Sequence, residues 1–208
     1  MDDRELDFCI KEFKKSGDSS YFEKIYHHFL PKIYRFLILQ VGDKQLTEDL
    51  VSEVFLKVYK YVAKVNLNSA SIKPWIYKIA KNLLIDFYRK EARHSRDMSL
   101  DNYIEEKQDT GILDKALIQE KESNFGFIDL ENSEFQNESL LEVLKDLPEL
   151  QKQVLLLRFV EDLDYRSIGI VLNKNELAIR AIKYRAISKL KEELLKNKLN
   201  SIKKSDGQ

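Results

Sequence analysis

Few side chains in this 208-residue chain have the type and spacing for covalent or metal chemistry. The histidines are His27, His28 and His94, and the single cysteine is Cys9. His27 and His28 are adjacent, so on a helix they point to different sides and cannot chelate as an i, i+4 pair does. A zinc site draws on about four ligands, often in close pairs, and the sequence offers no such set. His27, His28 and Cys9 therefore read as structural, and a lone cysteine rules out an intrachain disulfide. No Gly-rich phosphate loop and no nucleophile–base pattern stands out. Asp162 and Asp164 are placed to cap a helix rather than to exchange protons. The expectation is a chain with no catalytic residue, no metal and no cofactor, hence not an enzyme.

Non-covalent chemistry is more legible. Residues 165–184, YRSIGIVLNKNELAIRAIKY, carry the pattern of two closely crossing helices. Gly169 supplies the small residue at the crossing. Ile168, Leu172, Ile179 and Ile182 supply the apolar contacts. Asn173 falls where the backbone must turn left-handed, which Asn tolerates best after Gly, and Asn175 can cap the second helix. Lys174 departs from the pattern, which is usually apolar there. The second helix carries Arg180, Lys183, Tyr184, Arg185 and Lys189. Residues 165–204 hold 11 basic and 3 acidic side chains. A basic second helix suits the major groove, where Arg pairs bidentately with guanine and Lys holds phosphates. The bland alternative is a helical hairpin with a solvated basic face. The small residue, the turn residue and the basic helix together favour a DNA-reading helix-turn-helix.

The elements that position these residues read as helices throughout. Residues 21–41 are apolar at helical spacing and interrupted by Pro31. Residues 47–64 open on Thr47 as a cap, with Glu48 and Asp49 in the first turn. Leu50, Val51, Val54, Phe55, Val58 and Val62 then form an amphipathic stripe. Residues 66–73 read as a small polar loop. Pro74 sits in the first turn of a helix running to about Arg93, with Ile76, Ile79, Ala80, Leu83, Leu84 and Phe87 inward. Residues 97–138 read as a linker with one short helix near 112–122. Segments 139–146, 149–160, 165–172 and 176–198 read as helices.

The formal net charge is zero, from 35 basic and 35 acidic residues, but the charges are segregated. Residues 1–96 are +5, residues 97–138 are −9 and residues 139–208 are +4. Such asymmetry points to charged partners. With 6 Gly and 3 Pro, collagen-like and Pro-rich readings fail, and 43% hydrophobic residues exclude a wholly disordered chain. No apolar run approaches the roughly 20 residues of a membrane span. The acidic start, Met1-Asp2-Asp3-Arg4-Glu5, lacks a signal-peptide core, so a cytoplasmic location is expected. The fold class expected is all-α: two small helical domains joined by a flexible acidic linker, the C-terminal one a helix-turn-helix.

Residues 147–195, from Leu147-Pro148-Glu149 through Val154-Leu155-Leu156-Leu157-Arg158-Phe159 to Tyr184-Arg185-Ala186 and Lys189-Leu190, resemble region 4 of the bacterial sigma-70 family, extracytoplasmic-function group. Residues 46–59, from Leu46-Thr47-Glu48-Asp49 to Val58-Tyr59, are similar to the region 2.2 helix. Residues 73–86, from Lys73-Pro74-Trp75 to Ile85-Asp86, are similar to regions 2.3 and 2.4. The resemblance covers about two-thirds of the chain. It implies a promoter-specificity factor with a region 2 domain in 1–96, a linker in 97–138 and a region 4 domain in 139–208. It implies core RNA polymerase and promoter DNA as partners, and makes an anti-sigma factor a further candidate.

Site residues follow from those motifs. Asp49, Ser52, Glu53 and Leu56 fall at i, i+3, i+4 and i+7, a mixed acidic-apolar face suited to docking on polymerase. The family usually has Gln at the position of Ser52. Capture of the opened −10 element falls to Asn66, Asn68, Ser69, Lys73, Trp75, Tyr77, Lys78, Lys81, Asn82 and Arg89, because aromatic rings stack on bases and cations hold phosphates. Against this, Trp75 and Tyr77 are also readable as core, Trp75 as readily as not. The −35 contacts map onto Lys174, Asn175, Arg180, Ala181, Lys183, Tyr184, Arg185 and Lys189, with Ala181 and Ile182 replacing a frequent Ser and Arg. The competing readings are a helix-turn-helix regulator that is not a sigma factor, and a nucleic-acid enzyme. The first needs no region 2 motif, and the second needs an acid–base or metal cluster.

Overall fold

The computed structural model describes residues 1–67, 69–94 and 147–205. The linker 97–138 with its short helix near 112–122, the helix expected at 139–146, and Asn68 lie outside the described residues. The regular elements are α1 (Asp3–Ser16), α2 (Ser19–Val41), α3 (Lys44–Val62), α4 (Ser69–His94), α5 (Glu149–Leu155), a π turn (Leu156–Val160), α6 (Tyr165–Leu172) and α7 (Glu176–Ser205). Every regular element among the described residues is helical, as the all-α reading expects.

The helix starts share one device. Asp2, Asp18 and Asp43 each accept a hydrogen bond from a first-turn amide, those of Glu5, Ser20 and Leu46, at 2.8, 2.9 and 2.7 Å. Each relieves one of the unpaired amides that a helix start leaves. The cap of α3 is therefore Asp43 and not Thr47. Thr47 lies one turn inside, buried, with its hydroxyl donating to the Asp43 carbonyl at 2.6 Å. Helices α1 and α2 both end on a glycine in the left-handed region, Gly17 at φ 71° and Gly42 at φ 74°. Their amides close onto Phe13 and Ile38 at 2.9 and 2.8 Å, a geometry that costs a side-chain-bearing residue more.

Two prolines lie inside helices. Pro31 does not break α2, although it leaves the His27 carbonyl without its usual amide partner. Helix α4 begins at Ser69, so Pro74 sits past its first turn and the loop expected over 66–73 is shorter than its composition suggests.

Among the described residues, backbone contacts group 1–67, 69–94 and 166–173 in one compact unit, and 147–165 and 174–205 in a second. In the first, α2 packs on α1, α3 and α4, and α4 also packs on α1 and α3. The core comes from single stripes: Ile25, Phe29, Ile33 and Phe36 on α2, Leu50, Val54 and Val58 on α3, Ile76, Ala80 and Leu84 on α4. Helix α1 adds Leu6, Cys9, Ile10 and Phe13, spaced i, i+3, i+4, i+7. In the second unit, α7 packs on α5. Leu147, Leu155, Ala186 and Leu190 form a buried cluster, with Phe159 and Ile187 against it.

Between α5 and α6 the chain widens into the π turn. The Glu161 amide donates to the Leu156 carbonyl at 3.1 Å, five residues back. Lys152 through Leu157 are all buried, six successive positions with no outward side.

Candidate nucleic-acid interface

Helix α3 is two-faced. Its apolar stripe is buried, whereas Asp49, Ser52, Glu53 and Leu56 are all exposed. Leu56 is 70% exposed, the most exposed large apolar side chain among the described residues. Ser52 donates its hydroxyl to the Glu48 carbonyl at 2.9 Å, so it contributes little reach. Glu53 pairs loosely with Lys57 at 3.7 Å in solvent.

Helix α4 sorts the −10 candidates by rotation, about 100° per residue. Trp75, Lys78, Asn82 and Arg89 fall within an arc of about 60°. Asn82 and Arg89 are exposed, and Trp75 and Lys78 half-buried. Lys81 is half-buried at the edge of this face, and Arg89 pairs with Asp86 at 3.6 Å. Tyr77 is a correction. It is fully buried, with its ring edge-on to Phe36 at 5.3 Å, so no base reaches it here and it serves to seat α4. Lys73 is half-buried and lies on the other side of α4 from Lys78, close enough to His28 to help lower its pKa. Burial is the first cause of that shift, and Lys32 is the next. The Lys32 ammonium is 3.0 Å from His28 Nε2. His27 lies exposed beside Glu23. Ahead of α4, Asn66 is exposed. The backbone of Ser69 is already helical, and its side chain lies outside the described residues.

Helix α7 starts as its sequence expects. Asn173 is left-handed at φ 55°, and Asn175 Oδ1 accepts from the Ala178 amide at 2.7 Å. Asn175 is exposed, and Lys174, Arg180, Ala181, Lys183, Tyr184, Arg185 and Lys189 are half-buried. Ile179, Ile182, Ala186 and Leu190 turn inward. Arg180 reaches back to Glu176 at 2.9 Å. The Arg185 Nε is buried with no hydrogen-bond partner among the described residues. Asp162 does not cap α6. It is left-handed at φ 49° and pairs with Arg158 at 3.2 Å.

One constellation escapes sequence reasoning. Arg158, Arg180 and Lys183 gather over the Tyr165 ring, at 5.3, 4.2 and 5.2 Å from its centroid. Lys183 also donates to the phenol oxygen at 2.7 Å. Tyr165 therefore orders Arg180 and Lys183, two of the cations expected from the sequence to meet DNA. No short spacing links residues 158, 165 and 180, so no sequence signal marks them. In the same unit, burial pushes the Glu149 carboxyl up in pKa against the opposing effects of Lys152 and Gln153.

Comparison with known proteins adds the family. The Sigma-70 region 2 model matches residues 25–94, and the Sigma-70, region 4 model matches residues 143–192. Together they span more than half of the chain. The ECF RNA polymerase sigma factor SigM of Bacillus subtilis is 25% identical over 169 residues, covering 81% of this chain and 92% of that protein. The ECF RNA polymerase sigma factor BldN of Streptomyces coelicolor is 26% identical over 186 residues, and this chain spans 63% of its length. Among solved structures, the sigma factor RpoE of Bartonella quintana, in complex with the anti-sigma factor NepR, superposes with a TM-score of 0.62 at 19% identity, over 83% of this chain and 96% of that one. That likeness speaks for the fold.

Proposed function

The chain belongs to the extracytoplasmic-function group of the sigma-70 family, and from that premise we propose how its surfaces divide the work of promoter recognition. As an RNA polymerase sigma factor, its partners are core polymerase and promoter DNA. Residues 1–96 act as region 2, residues 97–138 as an acidic linker and residues 139–208 as region 4.

The exposed face of α3 is the polymerase-docking surface. The observation that carries this is Leu56, left 70% in solvent on a helix whose other apolar stripe is buried. Asp49 and Glu53 beside it orient a basic partner by charge, and Leu56 supplies the apolar contact. Trp75, Lys78, Lys81, Asn82 and Arg89 with Asn66, Asn68 and Ser69 receive the opened −10 strand. Lys73, on the other side of α4, serves a phosphate at the border of that surface. Helix α7 reads the −35 duplex through Arg180, Ala181, Lys183, Tyr184 and Arg185, with Lys174, Asn175 and Lys189 flanking it on the phosphates. The linker's −9 charge suits a basic nucleic-acid channel from which growing RNA displaces it.

The protein itself catalyses nothing in this reading and directs the chemistry of the polymerase. No described helix is long and apolar enough to cross a membrane, which fits work in the cytoplasm. The Bartonella protein's anti-sigma partner makes a comparable partner here part of the proposal. Run-off transcription with core polymerase on a promoter library tests the whole. Selective initiation from a subset of sequences, lost with Leu56→Asp, is the expected result. DNA binding without any gain in initiation would instead favour a plain helix-turn-helix regulator.

A further inference from the structure

The mouth of the −10 surface holds a cluster that lies between the two region 2 motifs, 46–59 and 73–86, within the matched region 2 span. From Val54 to Ile85 the chain has no acidic residue and six lysines. Three of its exposed side chains meet at the end of α3. The Lys60 and Lys64 ammoniums lie over the Tyr61 ring, 5.6 and 5.9 Å from its centroid. Tyr61 is 41% exposed, although by helical spacing it continues the buried stripe of Thr47, Leu50, Val54 and Val58. Among the described residues neither lysine has an acidic partner. Both lysines are exposed, and among the described residues the Tyr61 ring is the contact that each makes.

The segment is also held in place. The amides of Lys64 and Val65 both close onto the Tyr61 carbonyl, at 2.9 and 3.1 Å. Lys14, from α1, donates to the Val65 carbonyl at 2.6 Å. The ring thus stands on a fixed turn, one residue before the exposed Asn66.

We infer that Lys60, Tyr61 and Lys64 form a stacking platform for single-stranded promoter DNA, extending the −10 surface beyond Asn66. An exposed ring takes a base of any sequence on its face, and two unpaired ammoniums take the flanking phosphates. A duplex hides its base faces, so the platform selects opened DNA. Lys14 is a positioning residue that fixes the turn carrying the ring. The inference rests on the region 2 reading above.

The test uses holoenzyme reconstituted from the full chain and core polymerase. Binding is measured to a fork-junction promoter fragment with a single-stranded −10 segment, and to the same fragment fully paired. Tyr61→Ala is expected to weaken fork binding about tenfold, the low to middle part of the range for losing one base–aromatic stack. Tyr61→Phe should restore it, and duplex binding should not move. Lys60→Ala with Lys64→Ala should lower the slope of log K against log salt on the fork by about 1.4, from about 0.7 per phosphate on a single strand.

Unchanged fork binding in Tyr61→Ala, with loss in Asn82→Ala, would overturn the platform and leave the region 2 reading intact. Unchanged binding in both would overturn the region 2 reading as well. A Tyr61→Ala protein that melts early, joined to an unaltered salt slope in the double lysine variant, would show a purely structural tyrosine and overturn the platform.

Discussion

Leu56→Ala separates docking from folding more sharply than any other single change. Burying a leucine side chain completely is worth about 1.5–3 kcal/mol. Leu56 keeps 70% of its surface in water, so about 1–2 kcal/mol of that remains for a partner to claim. At 1.4 kcal/mol per tenfold, truncation should weaken binding to core polymerase roughly 5- to 30-fold. The folded chain loses only what is already buried, about 0.5–1 kcal/mol. Leu84→Ala on α4 is the control, since Leu84 is fully buried and its truncation should cost about 2–5 kcal/mol of stability. Fluorescence competition for core polymerase reads the first quantity, and thermal melting reads the second. If Leu56→Ala melted as early as Leu84→Ala and bound polymerase normally, Leu56 would be an internal packing residue and the docking face misassigned.

Other outcomes follow from single contacts. Asn175→Ala removes the cap on the Ala178 amide and should cost about 1 kcal/mol, seen as earlier melting and weaker −35 duplex binding. Arg185→Ala should weaken promoter binding by about 1–3 kcal/mol and relax base preference at one −35 position, read by competition with single-base promoter variants. His28 has a depressed pKa, so its neutral form belongs to the fold. As pH falls below the ordinary value of about 6.5, the unfolded chain takes up a proton that folded His28 resists, and stability drops. The melting temperature of His28→Asn should fall less than wild type between pH 7.5 and 5.5. Burial raises the Cys9 pKa, so a thiol reagent should modify Cys9 only as the chain unfolds.

Much of the fold was legible because its signals are local. The stripe of α3 and the turn at Asn173 are read within a dozen residues, and both appear where expected. Helix α1 carried the same spacing in Leu6, Cys9, Ile10 and Phe13 but is short and heavily charged, so its apolar face is easily passed over. Thr47 looked like a cap because Ser and Thr before acidic residues usually are; Asp43, four residues earlier, does that work. The site was less legible, since rotation about an axis decides which side chains share a surface. Tyr77 and Lys78 are neighbours in sequence, yet one is sealed against Phe36 and the other reaches solvent. The gathering of Arg158, Arg180 and Lys183 on Tyr165 needs the chain to return on itself.

The six buried positions running into the π turn have a practical meaning for experimenters. A helix with a solvent side offers a handle for a fluorophore, a spin label or a cross-linker. The stretch from Lys152 to Leu157 offers none. A probe placed there would report whether the protein is folded and would be blind to which partner it holds. Sensors of assembly belong instead on the outward face of α3 or at Leu177, which opens α7 with more than half of its surface in water.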